Sequence, residues 1–94
     1  MTDITIEGIR KKIDHIDQQI VTLIGERAGY VQAAAKFKTS APDVRAAERV
    51  RAMLGQRRAW AEERGLDPDR IEKLYQDMVN HFIQQEMAHW QQEQ

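Results

Sequence analysis

The chain has no cysteine in its 94 residues. That absence excludes a disulfide framework, a thiolate nucleophile and any cysteine-built metal or cluster site, and it makes the cytoplasm the expected compartment. Proline is scarce, with two residues, and glycine numbers five, so few positions mark the tight turns that short strands require. No stretch approaches the ~20 consecutive apolar residues that span a bilayer. The start, Met1-Thr2-Asp3-Ile4, has neither the basic residues nor the apolar run of a leader, so neither secretion nor membrane insertion is expected. Neither sign of charge dominates. Fourteen Lys and Arg face 15 Asp and Glu, giving a net charge of −1 and no global attraction to nucleic acid or to an anionic membrane.

Several reactive motifs are missing as well. His15, His81 and His89 show neither HExxH spacing nor i,i+4 pairing, so no metal site is expected. There is no glycine-rich phosphate loop and no serine in a nucleophile elbow; Thr39 and Ser40 read as loop residues. The aromatics Tyr30, Trp60, Tyr75 and Trp90 fall at helical spacing, which points to core packing rather than to a stacking surface for single-stranded nucleic acid.

What the sequence does contain is helical periodicity almost throughout. Ile6, Ile9, Ile13, Ile16, Ile20 and Leu23 step by three or four residues, and the same steps continue onto Arg27, Val31, Ala34 and Lys38. This predicts a first helix from about Thr5 to about Lys38, roughly 50 Å long. Such a helix would project well beyond a compact monomer of this size, whose radius of gyration is about 12 Å. A second copy covering the stripe, in an intertwined homodimer, removes the difficulty. Gly25 and Gly29 interrupt good helix formers and suggest a tight helix crossing.

Thr39-Ser40-Ala41-Pro42-Asp43 should break the first helix, and a second is expected from about Val44 to Arg64 with a weak stripe of Ala47, Val50, Leu54, Arg57 and Ala61. Gly65 suits a left-handed C-terminal cap, and Asp67-Pro68 supplies an N-cap followed by proline at the first helical position. The third helix carries the stripe Ile71, Tyr75, Met78 or Val79, Phe82, Glu86 and Trp90, and its tail Gln91-Gln92-Glu93-Gln94 is expected to fray. The fold class that follows is all-α, a single domain over residues 1–94 with three helices per chain, one of them very long.

Charge in the stripes is the anomaly. Arg27, Lys38 and Glu86 occupy steps where apolar residues belong, and an unpaired buried charge costs several kcal/mol. Each has a structural reading. Arg27 pairs with an acid from another helix, Lys38 favours the helix dipole and snorkels to water, Glu86 neutralises a cation, and Arg49 is solvated. Their joint occurrence on three helices favours a shared ligand instead. Residues 36–58 hold seven basic side chains and two acidic ones, so the positive field is focused mid-chain. Arginine forks suit carboxylates, and the expected ligand is a small anion held between helices.

Four stretches together carry a resemblance. They are Ile9-Arg10 with Ile13-Asp14 and Ile16-Asp17; Tyr30-Val31 with Ala34-Ala35-Lys36-Phe37-Lys38; Glu48-Arg49-Val50 with Met53-Leu54; and Trp60-Ala61-Glu62-Glu63 with Gly65-Leu66-Asp67. Over about residues 9 to 90 the chain resembles the all-helical chorismate mutase family, and most closely its isochorismate-pyruvate lyase branch. The resemblance implies a domain-swapped homodimer with two sites, each drawing on both chains. It gives Arg27, Lys38 and Arg49 to one protomer and Arg10 to the other. Arg10 and Arg27 are about 17 residues apart, roughly 25 Å along a helix, too far to share one small ligand within one chain.

The resemblance also implies the chemistry, a pericyclic rearrangement without cofactor, metal or covalent intermediate. Lys38 and Glu86 are the catalytic residues it marks, while Arg10, Arg27, Arg49, Val50, Phe82 and Ile83 bind the substrate. Glu86 stands where the lyase and a common mutase form carry glutamine. Ala46 and Val50 stand where mutases often place acids that hold the ring hydroxyl of chorismate; the lyase branch is apolar at both. The leading expectation is therefore isochorismate-pyruvate lyase with chorismate mutase as a side activity. A dedicated chorismate mutase is the second, and a non-catalytic helical partner-binding module the third.

Overall fold

The computed structural model of the chain describes residues 4–37 and 47–93, the stretch 89–93 by its backbone alone. Those residues form α1 (Ile6–Ala35), α2 (Ala47–Glu63) and α3 (Pro68–Glu93) and, among the described residues, no strand. The all-α expectation holds. No helix among the described residues is long and apolar enough to cross a membrane. The chain divides into two compact units, residues 1–33 and residues 34–94.

In the first unit Thr5 starts α1. Its Oγ1 accepts from the Gly8 amide at 2.9 Å, which satisfies one of the orphan donors of the first turn. The stripe is then laid along one face but stays in the open, from 42% exposed at Ile9 to 59% at Ile6 and Leu23. No residue of α1 is buried. Among the described residues nothing lies within 4 Å of a Cβ added at Gly25 or Gly29. Tyr30, expected in packing, is 79% exposed.

Helix α1 ends earlier than its periodicity suggests, at Ala35 rather than at Lys38. Lys36 and Phe37 form a turn instead, closed by the Phe37 amide donating to the Ala34 carbonyl at 3.1 Å. Lys38 itself, the expected break at 39–43 and the first residues of the expected second helix, 44–46, lie outside the described residues.

The second unit is built on a helical hairpin whose turn the sequence spells out. Gly65 adopts φ +72°, the left-handed conformation that costs other residues their Cβ clearance. The Leu66 amide donates to the Ala61 carbonyl at 2.8 Å and the Gly65 amide to the Glu62 carbonyl at 3.2 Å, a Schellman termination of α2. Asp67 then caps α3, its Oδ1 accepting from the Asp69 amide at 2.9 Å, with Pro68 at the first helical position where no amide is required.

Across the hairpin, Met53, Leu54 and Ala61 of α2 are buried, and Ile71, Tyr75, Met78, Val79, Phe82 and Glu86 of α3 are half-buried along the expected stripe. Leu74, off that stripe, is 55% exposed. Trp60 departs from the core-packing expectation at 46% exposed, because its ring lies against the Arg57 guanidinium at 4.8 Å rather than in the seam. The tail expected to fray is helical through Glu93.

One ion pair joins the helices near the turn. Arg58 Nη1 donates to Asp69 Oδ1 at 2.7 Å and lies 3.7 Å from Glu72 Oε2. The hydrogen bond to Asp69 raises the Arg58 pKa above the ordinary guanidinium value, partial loss of hydration opposes it, and the charges of Asp69, Glu72 and Glu62 add to the rise. A base whose folded pKa is raised stabilises the fold fully below its ordinary value, so this contribution is present throughout the working range and is lost only in strong base. Salt, which screens such an exposed pair, is the way to remove it. Arg58→Ala is therefore expected to lower the Tm by an amount that stays constant from about pH 7 to 10 and shrinks as salt approaches ~1 M; a difference that grew with salt would contradict the ion-pair account. Gly65→Ala, which meets no neighbour but takes an alanine to positive φ, should cost about 1–2 kcal/mol in urea unfolding, and Asp67→Ala about 1 kcal/mol.

Candidate active site

The charged residues picked out by the sequence divide between the two units. In the first, α1 holds Arg10 and Arg27 on one continuous helix. Arg10 is exposed, whereas Arg27 is half-buried with its Nη1 withdrawn from solvent. A guanidinium nitrogen in that position has exchanged hydration for protein contacts, and Arg27 is engaged in such interactions.

In the second unit the hairpin fixes a register. Arg57 lies over the Tyr75 ring at 5.5 Å, and Arg58 meets Asp69 and Glu72, so α2 and α3 run antiparallel from the turn at 64–67. Moving up α2 away from the turn leads to Val50 and Arg49; moving along α3 leads to Phe82, Ile83 and Glu86. These five predicted residues therefore share the end of the hairpin opposite the turn. Val50, Phe82, Ile83 and Glu86 are half-buried and Arg49 is exposed.

Glu86 is the half-buried polar residue among the five. Its Oε2 is withdrawn from solvent, and the residue is engaged in interactions within the protein. A carboxyl in such a position either accepts from donors or, when protonated, donates. Phe82 and Ile83 lie on the same stretch of α3, and Val50 leaves its step of α2 without any hydrogen-bonding group.

Arg57 was not singled out for the site from sequence, although it stands at an interior step of the α2 stripe. Its Nε is withdrawn from solvent and its guanidinium lies over Trp60 at 4.8 Å and Tyr75 at 5.5 Å. The spacing signal was the same as for Arg27. What hid it was the crowd of neighbouring arginines, which made α2 look like a solvated basic face.

Comparison with known proteins gives two findings. Residues 9–87 match the family described as chorismate mutase type II. A protein named isochorismate pyruvate lyase, from Pseudomonas aeruginosa, is 44% identical over 87 residues, covering 93% of this chain and 86% of that one.

Proposed function

The chain belongs to the chorismate mutase type II family, and from that premise we propose that it is an isochorismate pyruvate lyase, converting isochorismate to salicylate and pyruvate, with chorismate mutase as a side activity. The carrying observation is the 44% identity to a lyase over nearly the whole chain. Val50 points the same way. A half-buried valine offers nothing to hold the ring hydroxyl that mutases often grip with an acid at this step.

The reaction is pericyclic, with electrons moving around a six-membered array, so the protein supplies shape and charge. Arg10 and Arg27 take the two carboxylates and fold the enolpyruvyl arm over the ring. Lys38 and protonated Glu86 stabilise the negative charge that grows on the ether oxygen as its bond to carbon breaks. Arg49 adds positive field, and Val50, Phe82 and Ile83 enclose the ring. The single domain works as a homodimer in which Arg10 comes from the second chain; the uncovered α1 stripe and the ~25 Å between Arg10 and Arg27 along α1 support this. The cysteine-free composition supports a cytoplasmic location.

Pure isochorismate and pure chorismate, supplied separately, test the reading: salicylate and pyruvate from the first should form with a kcat/KM at least about tenfold above that for prephenate from the second. The reverse order would make the chain a dedicated mutase. Because a glutamate donates a hydrogen bond only when protonated, kcat/KM should fall as pH rises, and Glu86→Gln should flatten the profile by donating at every pH. An unchanged profile removes Glu86 from the mechanism. Arg10→Ala and Lys38→Ala should each lose on the order of 10²–10³ in kcat/KM, as removal of a charge-stabilising donor does. Mixing the two should restore part of the activity through heterodimers with one intact site; no recovery despite measured subunit exchange would refute sites shared between chains.

A further inference from the structure

We propose that Arg57 is a positioning residue for the reaction, setting the register between α2 and α3 through its stack on Tyr75 and Trp60 and so fixing Arg49 and Val50 opposite Phe82, Ile83 and Glu86. The proposal rests on the lyase reading above. It adds a residue that neither touches substrate nor lies at the site end of the hairpin.

The hairpin carries substrate-facing residues on both arms, so its two halves of the site are only as well placed as the arms are. Its turn is fixed by Gly65, Asp67 and the Arg58 ion pair, all at the far end from the site. Between that turn and the site, the seam is mostly apolar: Leu54 and Met53 on α2, Met78 and Val79 on α3. Contacts made through methionine tolerate a small slide of one helix along the other, because its unbranched side chain with three rotatable bonds adapts to a new gap.

Arg57 does not slide so easily. Its guanidinium lies 5.5 Å from the Tyr75 ring on the opposite helix and 4.8 Å from Trp60 on its own, with Nε withdrawn from solvent. A cation attracted to a ring face loses that attraction steeply beyond about 6 Å, so a shift of α3 by a fraction of a turn would leave a poorly hydrated charge off its ring. The planar fork stacks where an ammonium would not. Buried Met53 stands one turn along α2 from Arg57 towards the site, and Arg49 and Val50 about one turn further, so the register set at Arg57 is carried rigidly along the helix.

The test is a kinetic cycle on the full chain with isochorismate. Arg57→Met and Tyr75→Leu should each lower kcat about tenfold while KM changes less than about twofold, with helical circular dichroism and oligomeric state unchanged. Tyr75→Phe keeps the ring face and should retain near-normal kcat; Arg57→Lys keeps the charge but not the fork and should fall with Arg57→Met. The Arg57→Met/Tyr75→Leu double variant should lose no more than the worse single one, since both break one stack. Normal kcat in folded Arg57→Met, or fully additive losses, overturns the positioning role. Loss of fold in both Arg57→Met and Tyr75→Leu would make the stack a folding element and overturns it too. Inactivity of the wild type on both isochorismate and chorismate would instead sink the functional reading and leave Arg57 without a reaction to position.

Discussion

A helix of 30 residues that carries six large apolar side chains on one face and buries none of them sets the terms for the whole molecule. Each such side chain is worth about 1.5–3 kcal/mol when fully withdrawn from water, so the uncovered stripe of α1 leaves unrealised a stabilisation as large as the net stability of a typical domain. A chain of 94 residues has little else with which to cover it. In the proposed homodimer the same stripe on a second copy supplies the cover, and Gly25 and Gly29 leave open space where a second backbone can come close. In that proposed dimer α1 would carry Arg10 to one site and Arg27 to the other, and the length of the helix is what separates the two arginines.

The second unit solves a different problem, placing charge in a seam without leaving it bare. Arg57 lies against two rings, which replace part of its hydration by quadrupole attraction worth about 0.5–1 kcal/mol at such partly exposed sites. Arg58, one position on, faces outward and meets carboxylates instead. Adjacent half-buried arginines thus hold the same two helices by different means, one against aromatic rings and one against carboxylates. Both contacts lie in the half of α2 next to the turn, and the opposite end of the hairpin is the one bearing Arg49, Val50, Phe82, Ile83 and Glu86.

Much of this was legible in the residues. Gly65 with Asp67-Pro68 dictated a helix end and a helix start within four residues, since each has few other physical uses. The α3 stripe was equally plain, because Ile71, Tyr75, Phe82 and Glu86 keep the helical step without interruption. The end of α1 was not. Periodicity continues through Ala34 to Lys38, and no glycine or proline stands before Pro42 to stop it, so nothing local announced that the hydrogen-bond ladder would close at Ala35. The tail erred in the opposite direction. Gln91, Gln92 and Glu93 look solvated and were expected to fray, yet glutamine and glutamate are good helix formers and the helix continues through them. Trp60 was read as core because large aromatics usually are, and a partner that brings the cation to the ring rather than the ring to the core leaves no trace in spacing. The placement of the site's charges was legible as a misfit to pattern, but their roles were carried by family resemblance.

The chemistry of the site follows from what its residues can and cannot do. In the proposed pericyclic reaction the bonds that form and break lie within the substrate, so the proposed site residues act by position and charge. An enclosed cation is then most useful where charge appears only in the transition state, since a group that binds ground and transition states equally lowers KM without raising kcat. That consideration divides the cations. The carboxylates of a dicarboxylate substrate are charged throughout, so Arg10 and Arg27 bind both states alike and act by holding the folded conformer. The ether oxygen gains charge only as its bond breaks, so in the proposed mechanism Lys38 and Glu86 are the groups that would carry the differential stabilisation. A carboxylate there would oppose the growing charge, whereas a carboxylic acid donates to it. Glu86 in place of the glutamine common in the family would therefore keep the side chain's length while making the proposed hydrogen bond to the ether oxygen depend on a proton, which a glutamine does not need.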